Sequence, residues 1–476
     1  MKRLNGMDAM LLYSEAPNLH THTLKVAVID AAACPDFGFE AFRDHLRRRL
    51  HLLEPLRYQL VEIPWRLHHP MWLEDCAVDL DYHLRRVRVP APGGRRELDQ
   101  VIGELASTPL DRGRPLWEFY FADGLADGRF ALIGKVHHSL ADGVASANLL
   151  ARAMDLTDMT VHEKDCATPT SAGLLWAAAR DHVSQFASLP GLLRDAAVGL
   201  ARLRRRSTER GSHPDLAAAF NAPPTFLNHV VSPRRRFASA ALPLAEAKAT
   251  AQVLGVKVND LILAIAAGGL RTLLLNYDGI ADRPIIASVP TATDKSDRVT
   301  GNEISGLSVS LPTHIADPIE RVRLVALATR IAKEDHDILG PELYGRMMAY
   351  LPPVLAPAAF RWLSRREAPN KMMNVAVSSV MGPRERGHFG GAPVSEIYST
   401  GVLSPGAPVN ITVWSYADKL GVAVLTDDRT FDDAHDATDA LVSAFDELRS
   451  AAGLSGRQNG IQRRIKQAEA VVGRTG

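Results

Sequence analysis

The stretch from Lys135 to Gly143 (KVHHSLADG) places two adjacent histidines where a strand gives way to a helix. The residues before it, Phe130 to Val136, are apolar and prone to form a strand, and an Asp-Gly turn at residues 127–128 separates them from an earlier aromatic strand. The residues after it, 144–154, carry apolar side chains at approximately helical spacing. We therefore expect the histidines to lie in a loop that is held at both ends and presents side chains at fixed positions.

The spacing inside this loop favours catalysis. His138 and Asp142 form an H-x-x-x-D pair, with His137 in front and Gly143 behind. A histidine can remove a proton near neutral pH because its unperturbed pKa is about 6.5. An aspartate four residues later can orient the imidazole or pair with a cation elsewhere, and the glycine permits a tight turn or a close substrate approach. The alternative is a surface histidine pair followed by an Asp-Gly turn; we favour the catalytic interpretation.

The bulk properties of the chain indicate a globular protein with a sizeable core. Its 476 residues are 46% hydrophobic and 23% charged, and a chain of this length is expected to form about two or three domains. With 55 Lys and Arg against 54 Asp and Glu, the net charge is +1. This near-neutral net charge therefore gives no electrostatic reason to expect nucleic acid as a partner.

The cysteines and the N-terminus predict a cytoplasmic compartment. Cys34, Cys76 and Cys166 are scattered and lack a metal-ligand spacing, so we expect reduced thiols and no metal site. The N-terminal residues contain no long apolar stretch of the signal-peptide kind, so we expect no secretion. The apolar run from Leu261 to Leu270 is shorter than the roughly 18 residues of a spanning helix. We expect no bilayer crossing; peripheral contact with a membrane or lipid droplet stays open.

Two further motifs have a structural interpretation beside a functional one. Pro115-Leu116-Trp117 heads the strand that precedes the Asp-Gly turn, where proline starts a strand and tryptophan fills a core. We prefer that interpretation to direct substrate contact. Asn259-Asp260 opens an apolar helix, where either residue type caps the free backbone N–H groups. We prefer the capping role for this pair to the alternative, that it lies close to a reacting centre.

Two segments suggest contact with lipid. Residues 165–224 are rich in Ala and Leu, are interrupted by Pro190-Gly191 and include the basic run Arg202 to Arg206. This pattern predicts one or two amphipathic helices, which either bind an anionic membrane surface or pack on the domains as a linker. Residues 346–366 alternate large apolar residues with prolines; we prefer buried core here to a lipid-facing entrance.

The motifs together resemble those of a known enzyme family. HHSLADG matches the HHxxxDG signature of the CoA-dependent acyltransferase superfamily, which includes chloramphenicol acetyltransferase and peptide-synthetase condensation domains. The chain is more similar to the bacterial wax ester synthase/acyl-CoA:diacylglycerol acyltransferase family. Four stretches in the family's order support this resemblance: Asn5 to Glu15, Arg114 to Phe121, Val258 to Ala264, and Gly301-Asn302.

The resemblance implies an architecture. We expect a mixed α/β fold of two chloramphenicol-acetyltransferase-like halves, in which helices flank mixed sheets and the active site lies in a channel between the halves. The N-terminal half covers residues 1–165 and the C-terminal half residues 226–455. A helical linker, 166–225, joins them, and residues 456–476 form a polar, basic tail.

The resemblance also implies a reaction. A long-chain acyl-CoA donates its acyl group to diacylglycerol or a long-chain alcohol, and His138 is the general base. No cofactor is needed, and no covalent intermediate, in agreement with the absence of a G-x-S-x-G motif from the sequence. His137, Asp142 and Gly143 shape the loop. The residues expected in or near the site are Asn259, Asp260, Gly301, Asn302, Pro115, Leu116 and Trp117.

Two departures from the family pattern keep alternatives open. Ala292 and Asp294 stand where the family has Ser and Arg, and Ser379 and Met381 where it has Asn and Pro. An acid therefore occupies the position of an expected cation. The alternatives are an acyltransferase that acts on a polyketide or glycolipid, one that forms amides on a carrier protein, and a lipid-binding homologue with weak or lost catalysis. Acyl length, preferred acceptor and oligomeric state stay open.

Overall fold

The structure is a computed structural model that describes residues 1–30, 34–155, 169–294, 296–367 and 370–454. Three expectations fall outside these residues: the reduced state of Cys166, the polar tail at 456–476, and the boundary between residues 165 and 166. The other two cysteines, Cys34 and Cys76, are free thiols.

Strands and helices alternate along most of the chain. The strands are β1 (Lys2–Arg3), β2 (His22–Ile29), β3 (Gln59–Val61), β4 (Met71–Leu73), β5 (Leu84–Arg88), β6 (Trp117–Asp123), β7 (Phe130–His137), β8 (Arg235–Pro243), β9 (Ile285–Ala292), β10 (Ile304–Leu311), β11 (Val375–Met381), β12 (His388–Phe389), β13 (Ala392–Ser399), β14 (Val409–Tyr416) and β15 (Lys419–Asp427). The helices are α1 (Gly6–Tyr13), α2 (Phe39–Arg49), α3 (Leu80–His83), α4 (Arg95–Ala106), α5 (Gly143–Ala153), α6 (Ser171–Arg210), α7 (Leu244–Val253), α8 (Val258–Tyr277), α9 (Pro318–Leu339), α10 (Leu343–Met348), α11 (Ala356–Ser364) and α12 (His435–Ala451).

Two six-stranded mixed sheets form the framework. The first has the order β12-β13-β2-β7-β6-β5 and is antiparallel except for the β5–β6 pair. The second has the order β10-β9-β11-β14-β15-β8, with β11 parallel to both of its neighbours. Strands β1, β4 and β3 form a small third sheet. The predicted mixed α/β class is confirmed.

Two segments of the expected C-terminal half, 226–455, pack with the first half. Strand β13 runs antiparallel to β2, so β12 and β13 complete the first sheet. Helix α11 contributes Ala356 to the core of the first half, where Leu351 and Phe360 also pack. A division at fixed positions assumes that each half is continuous in sequence, whereas strand pairing joins residues that are distant along the chain.

Helix α8 is the central helix of the second half. Its residues 261–270 are apolar on all sides, and such a helical segment is buried in a large core. Residues 260–270 are all buried, and two glycines allow α12 to approach closely. A Cβ at Gly269 would lie 2.9 Å from Leu441 Cδ2. By length and composition α8 alone among the described helices qualifies as a membrane span, but 72% of the qualifying window is buried inside the protein.

The predicted amphipathic linker is a single helix, α6, of 40 residues that continues through Pro190. Its buried residues are Leu174, Ala178, Leu192 and Gly199. Near its start His182 Nε2 bonds the carbonyl oxygen of Leu67 at 2.7 Å, and near its end Arg206 binds Glu334 of α9 at 2.6 Å. The helix therefore spans both halves, as a linker is expected to do.

Residues 346–366 depart from the expected buried core. Four of their large side chains are 47–64% exposed: Met347, Val354, Leu355 and Trp362. Helices α10 and α11 are short and lie on the outside of the first half, so one side packs inward and the other faces solvent. The preference for buried core is wrong for these four residues.

Candidate active site

The histidine loop, residues 137–143, leaves β7 and enters α5 as the sequence predicts. The backbone N–H of His137 donates to the Leu116 carbonyl at 2.9 Å, and that of His138 to the Thr21 carbonyl at 2.8 Å. At the other end of the loop, Asp142 Oδ1 accepts from the Ala145 N–H at 3.0 Å and caps α5. The loop is thus fixed on both sides by backbone bonds.

Asn302 holds the imidazole of His138 from the second half of the chain. The Asn302 amide nitrogen donates to the His138 carbonyl oxygen and to Asp8 Oδ1, both at 2.8 Å. Its amide oxygen therefore faces the ring and lies 3.0 Å from His138 Nδ1. An amide oxygen accepts only, so this network assigns the ring hydrogen to Nδ1. Nε2 of His138 is left with a free lone pair.

The surroundings of His138 favour its neutral form. Burial lowers the pKa of His138 below its usual value, and the positive charge of Lys25 lowers it further. The charge of Asp142 and the hydrogen bonds of the ring oppose this shift without reversing it. Burial also raises the pKa of Asp8, behind Asn302, to about 7. At neutral pH the imidazole is therefore unprotonated and can act as a base.

Asp142 is a structural pin of the loop. Its Oδ2 accepts from the backbone N–H of Glu303 at 3.0 Å and forms an ion pair with Arg298. The arrangement matches the second role that the sequence allowed for this aspartate, pairing with a cation elsewhere. Arg298 also lies 3.5 Å from Asp294, the acid found where the family has an arginine. A cation is therefore retained beside the loop, four residues further along the chain.

Gly301 joins the loop to the segment that carries Asn302. Its N–H donates to the Leu140 carbonyl at 2.8 Å, and its own carbonyl accepts from the Asp142 N–H at 3.3 Å. Its φ of +83° lies in the region that favours glycine. The structure thus brings Gly301 and Asn302 to His138, as the sequence predicts.

His137 and Gly143 have contacts that suit loop-shaping roles. The Nδ1 of His137 accepts from the Ser139 N–H at 3.1 Å, so Nε2–H donates to Thr21 Oγ1 at 2.8 Å. Both ring nitrogens are engaged, and burial holds the pKa of His137 well below its usual value. A Cβ at Gly143 would lie 3.1 Å from Val380 Cγ2. The space left by this glycine is occupied by a protein side chain of β11.

The Pro115-Leu116-Trp117 segment supports the loop from the core. Trp117 is fully buried, its Nε1–H donates to the Leu56 carbonyl at 2.8 Å, and its ring stacks on His83 with 4.3 Å between centroids. Leu116 is also fully buried and bonds His137 through its backbone. These contacts agree with the structural interpretation of the motif.

Asn259 and Asp260 lie in the first turn of α8. Asp260 Oδ2 accepts from the Lys257 N–H at 3.3 Å, so Asp260 has a capping role, whereas the N-cap position itself is occupied by Lys257. Asn259 is half-buried. That this pair lies close to the reacting centre stays a prediction.

A cavity that is partly open to solvent lies between the first sheet and helices α2 and α5. Thr23 and Val136 line it, and these residues face each other on β2 and β7 just before the histidine loop. Most of the wall is apolar: Phe42, Leu46, Leu53, Leu56, Phe119, Leu132, Ile133, Leu149, Leu150, Phe389 and Ile397. Sequence analysis missed both this cavity and Lys25, which also lines it.

Metal ligands are not grouped in the part of the chain that the structure describes. No three or more His, Cys, Asp or Glu side chains among these residues lie close enough together to hold a metal ion.

Comparison with solved structures defines the class of fold. The chain is similar to the starter condensation domain of rhizomide synthetase, with a TM-score of 0.55 and 12% identity over 95% of this chain and 94% of that one. It is more similar to the wax ester synthase/diacylglycerol acyltransferase from Marinobacter aquaeolei VT8, with a TM-score of 0.68 and 26% identity over 95% and 100% of the two chains. The fold is thus the one shared by condensation domains and acyltransferases.

Sequence comparison identifies the family. Residues 4–262 match the wax ester synthase/diacylglycerol acyltransferase catalytic domain, and residues 300–449 match the WS/DGAT C-terminal domain. A Mycobacterium tuberculosis H37Rv protein provisionally named as a diacylglycerol O-acyltransferase is 52% identical over 98% of this chain and 100% of its own length. A second such protein from that strain is 34% identical over 95% and 98%. The chain belongs to the wax ester synthase/diacylglycerol acyltransferase family and is an O-acyltransferase, which confirms the resemblance.

The Asp142–Arg298 pair gives a stability prediction. Asp142→Asn keeps a side chain that can cap α5 but removes the charge that Arg298 needs. Breaking a buried ion pair in this way costs about 3–5 kcal/mol, so the free energy of unfolding in urea is expected to fall by that amount. Asp282→Asn is the control, because Asp282 pairs with Arg283 at the exposed surface. Equal effects of the two changes would contradict a structural role for Asp142.

Proposed function

We propose that the protein transfers a long-chain acyl group from acyl-CoA to the hydroxyl group of diacylglycerol or of a long-chain alcohol. The products are triacylglycerol and wax ester, respectively. The observation that carries this proposal is the free Nε2 lone pair of His138, held in place by Asn302 beside an apolar cavity. The family and the provisional names of the mycobacterial relatives support these substrates.

The mechanism is direct transfer. Nε2 of His138 accepts the proton of the acceptor hydroxyl as its oxygen attacks the thioester carbon. The tetrahedral intermediate collapses, the carbon–sulfur bond breaks, and the imidazolium returns its proton to the CoA thiolate. Asn302 fixes the ring through Nδ1 while Nε2 exchanges the proton. His137 takes no part, because both of its ring nitrogens are engaged elsewhere.

The cavity suits the acyl chain. Its wall is predominantly apolar, and it includes Thr23 and Val136, next to the histidine loop. A chain buried there gains the free energy of leaving water, about 0.8 kcal/mol for each CH₂ group. Long chains are therefore expected to bind more tightly than short ones.

Ester synthesis tests the proposal. The wild type is expected to form ester from labelled palmitoyl-CoA with diolein or hexadecanol, whereas His138→Ala loses about 10²–10⁴-fold in rate, the usual contribution of a general base. Thin-layer chromatography and release of the CoA thiol measure the product. His388→Ala, at an exposed histidine, is the control and keeps full activity.

The same assay separates the alternatives. Ester from a hydroxylated glycolipid or polyketide, but from neither diolein nor hexadecanol, would assign a different acceptor. Amide formation only on a carrier protein would assign a condensation-type reaction. Ligand binding without product from any acceptor would identify a lipid-binding homologue.

The pH dependence of kcat/KM reports the state of His138. The active form is unprotonated, so activity is lost as pH falls through the pKa of His138. Because burial lowers that pKa, the acid limb is expected below pH 6.5. An acid limb above pH 7 in the wild type would contradict the proposed environment.

Asn302→Ala removes the acceptor at Nδ1 and is expected to lower kcat more than it changes KM.

We further propose peripheral contact with a membrane or lipid droplet through the outward face of α6. This face carries Trp176, Val183, Phe186 and Leu193, all more than 60% exposed. Arg180 and Arg194 of the same helix are 75% and 81% exposed. Exposed aromatic residues beside arginines suit the surface of an anionic membrane. Cytoplasmic localisation stays a prediction.

Vesicle binding tests this surface. Trp176→Ser with Phe186→Ser is expected to weaken binding to vesicles containing phosphatidylglycerol by at least about tenfold, since burying one large apolar side chain contributes about 1.5–3 kcal/mol. Val253→Ser with Ile280→Ser is the control, because both residues are 56% exposed and lie outside α6. Flotation of the protein with vesicles in a density gradient measures binding. Equal losses in both double variants would contradict a specific role for α6.

A further inference from the structure

Lys25 is a charged residue in a strand whose other residues are all buried. It lies in β2, whose sequence HTLKVAVI is otherwise mostly apolar. Side chains alternate between the faces of a strand, so Lys25 shares a face with Thr23 and Ala27. All three residues line the cavity beside the histidine loop. The Lys25 side chain therefore borders a space whose walls are predominantly apolar.

Among the described residues no carboxylate lies within ion-pair distance of Lys25. The contacts of its Nζ are Thr23 Oγ1 at 3.5 Å and the ring of Trp414, with 5.4 Å to the centroid. Asp142 attracts Lys25 from a distance, but its two oxygens already serve Arg298 and the backbone of Ala145 and Glu303.

Two other cations near this sheet have partners. Arg49, which also lines the cavity, binds Asp155 at 2.9 Å and the Arg152 carbonyl at 2.7 Å. Lys135, on the opposite face of the first sheet, lies 3.5 Å from Glu118. Lys25 thus differs from both in lacking a counter-charge.

Lys25 is half-buried, and an ammonium group that loses water without gaining an anion is costly. Burial accordingly lowers the pKa of Lys25 to about 7. An anion that enters the cavity restores the missing partner and stabilises the charged form. The apolar wall requires that the rest of such a ligand be hydrocarbon.

We propose that this cavity binds the anion of a long-chain fatty acid, with its carboxylate on Lys25 Nζ and its chain along the apolar wall. A long-chain alcohol or methyl ester of equal length fills the same wall but leaves the ammonium without a counter-charge. The phosphates of CoA carry the right charge but no hydrocarbon to match the wall. Charge and apolar surface together select the fatty-acid anion.

Binding of matched ligands tests the proposal on the full-length protein. Isothermal titration at pH 7 compares laurate with 1-dodecanol, which has the same chain without the charge. Laurate is expected to bind the wild type about 10- to 100-fold more tightly, the usual range for a charge-assisted hydrogen bond. Equal affinities of the two ligands would overturn the proposal without the need for any variant.

Substitution of Lys25 assigns the preference to this residue. Lys25→Met keeps a long apolar side chain and removes the charge, so it is expected to lose the preference for laurate while still binding 1-dodecanol. Lys25→Arg keeps the charge and the preference. Lys248→Met, the same change on the exposed side of α7, leaves both affinities unaltered. A preference for laurate that persists in Lys25→Met would place the carboxylate on another residue and refute the assignment.

Inhibition of the acyltransferase by a fatty-acid anion would follow from this site; that consequence rests on the proposed function and is tested separately. If the same cavity holds the acyl chain during catalysis, laurate competes with acyl-CoA and raises its KM without changing kcat. Charge-selective binding without competition would leave the Lys25 site intact and would show that the acyl chain binds elsewhere. Competition by 1-dodecanol as strong as that by laurate would instead contradict the selection of an anion by Lys25.

Discussion

The amide group of Asn302 is the interaction on which the rest of the site depends. It donates to Asp8 and to the His138 carbonyl, and its oxygen accepts from the ring of His138. Asp8 and His138 come from the first half of the chain, whereas Asn302 lies two residues before β10 of the second sheet. A single side chain therefore sets the tautomer of the base and joins the two halves. The base is correctly oriented only when the halves are assembled.

Assembly is reinforced by chain segments that cross between the halves. Strand β13 pairs with β2 in the first sheet, and Trp414 of β14 packs in the core of the first half. Val380 of β11 fills the space beside Gly143 at the start of α5. Because these contacts link residues far apart in sequence, neither half has a complete core without the other. The site therefore lies in a region braced from both sides, which suits a base that must stay in one orientation.

The sequence predicts the parts of the site that depend on local patterns. The strand, loop and helix around His138 follow from apolar periodicity, and Gly301-Asn302 was found through motif resemblance. The Asp142–Arg298 pair joins residues 156 positions apart, so spacing alone does not reveal it. Lys25 escaped notice because a lysine in an alternating strand usually faces water. Sequence patterns do not reveal that segment 388–399 pairs with the first sheet, because strand pairing depends on the whole sheet. Helix α6 runs through Pro190, where sequence rules weaken a helix.

Proline within α6 also has a mechanical consequence. The helix is bound to the first half near His182 and packs on α9 of the second half near Gly199, and Pro190 lies between these attachments. A proline inside a helix removes one backbone hydrogen bond, so resistance to bending is lowest there. Any change in the angle between the two sheets would bend α6 at this point. The part of α6 before Pro190, which carries Trp176 and Phe186, would then tilt with the first sheet.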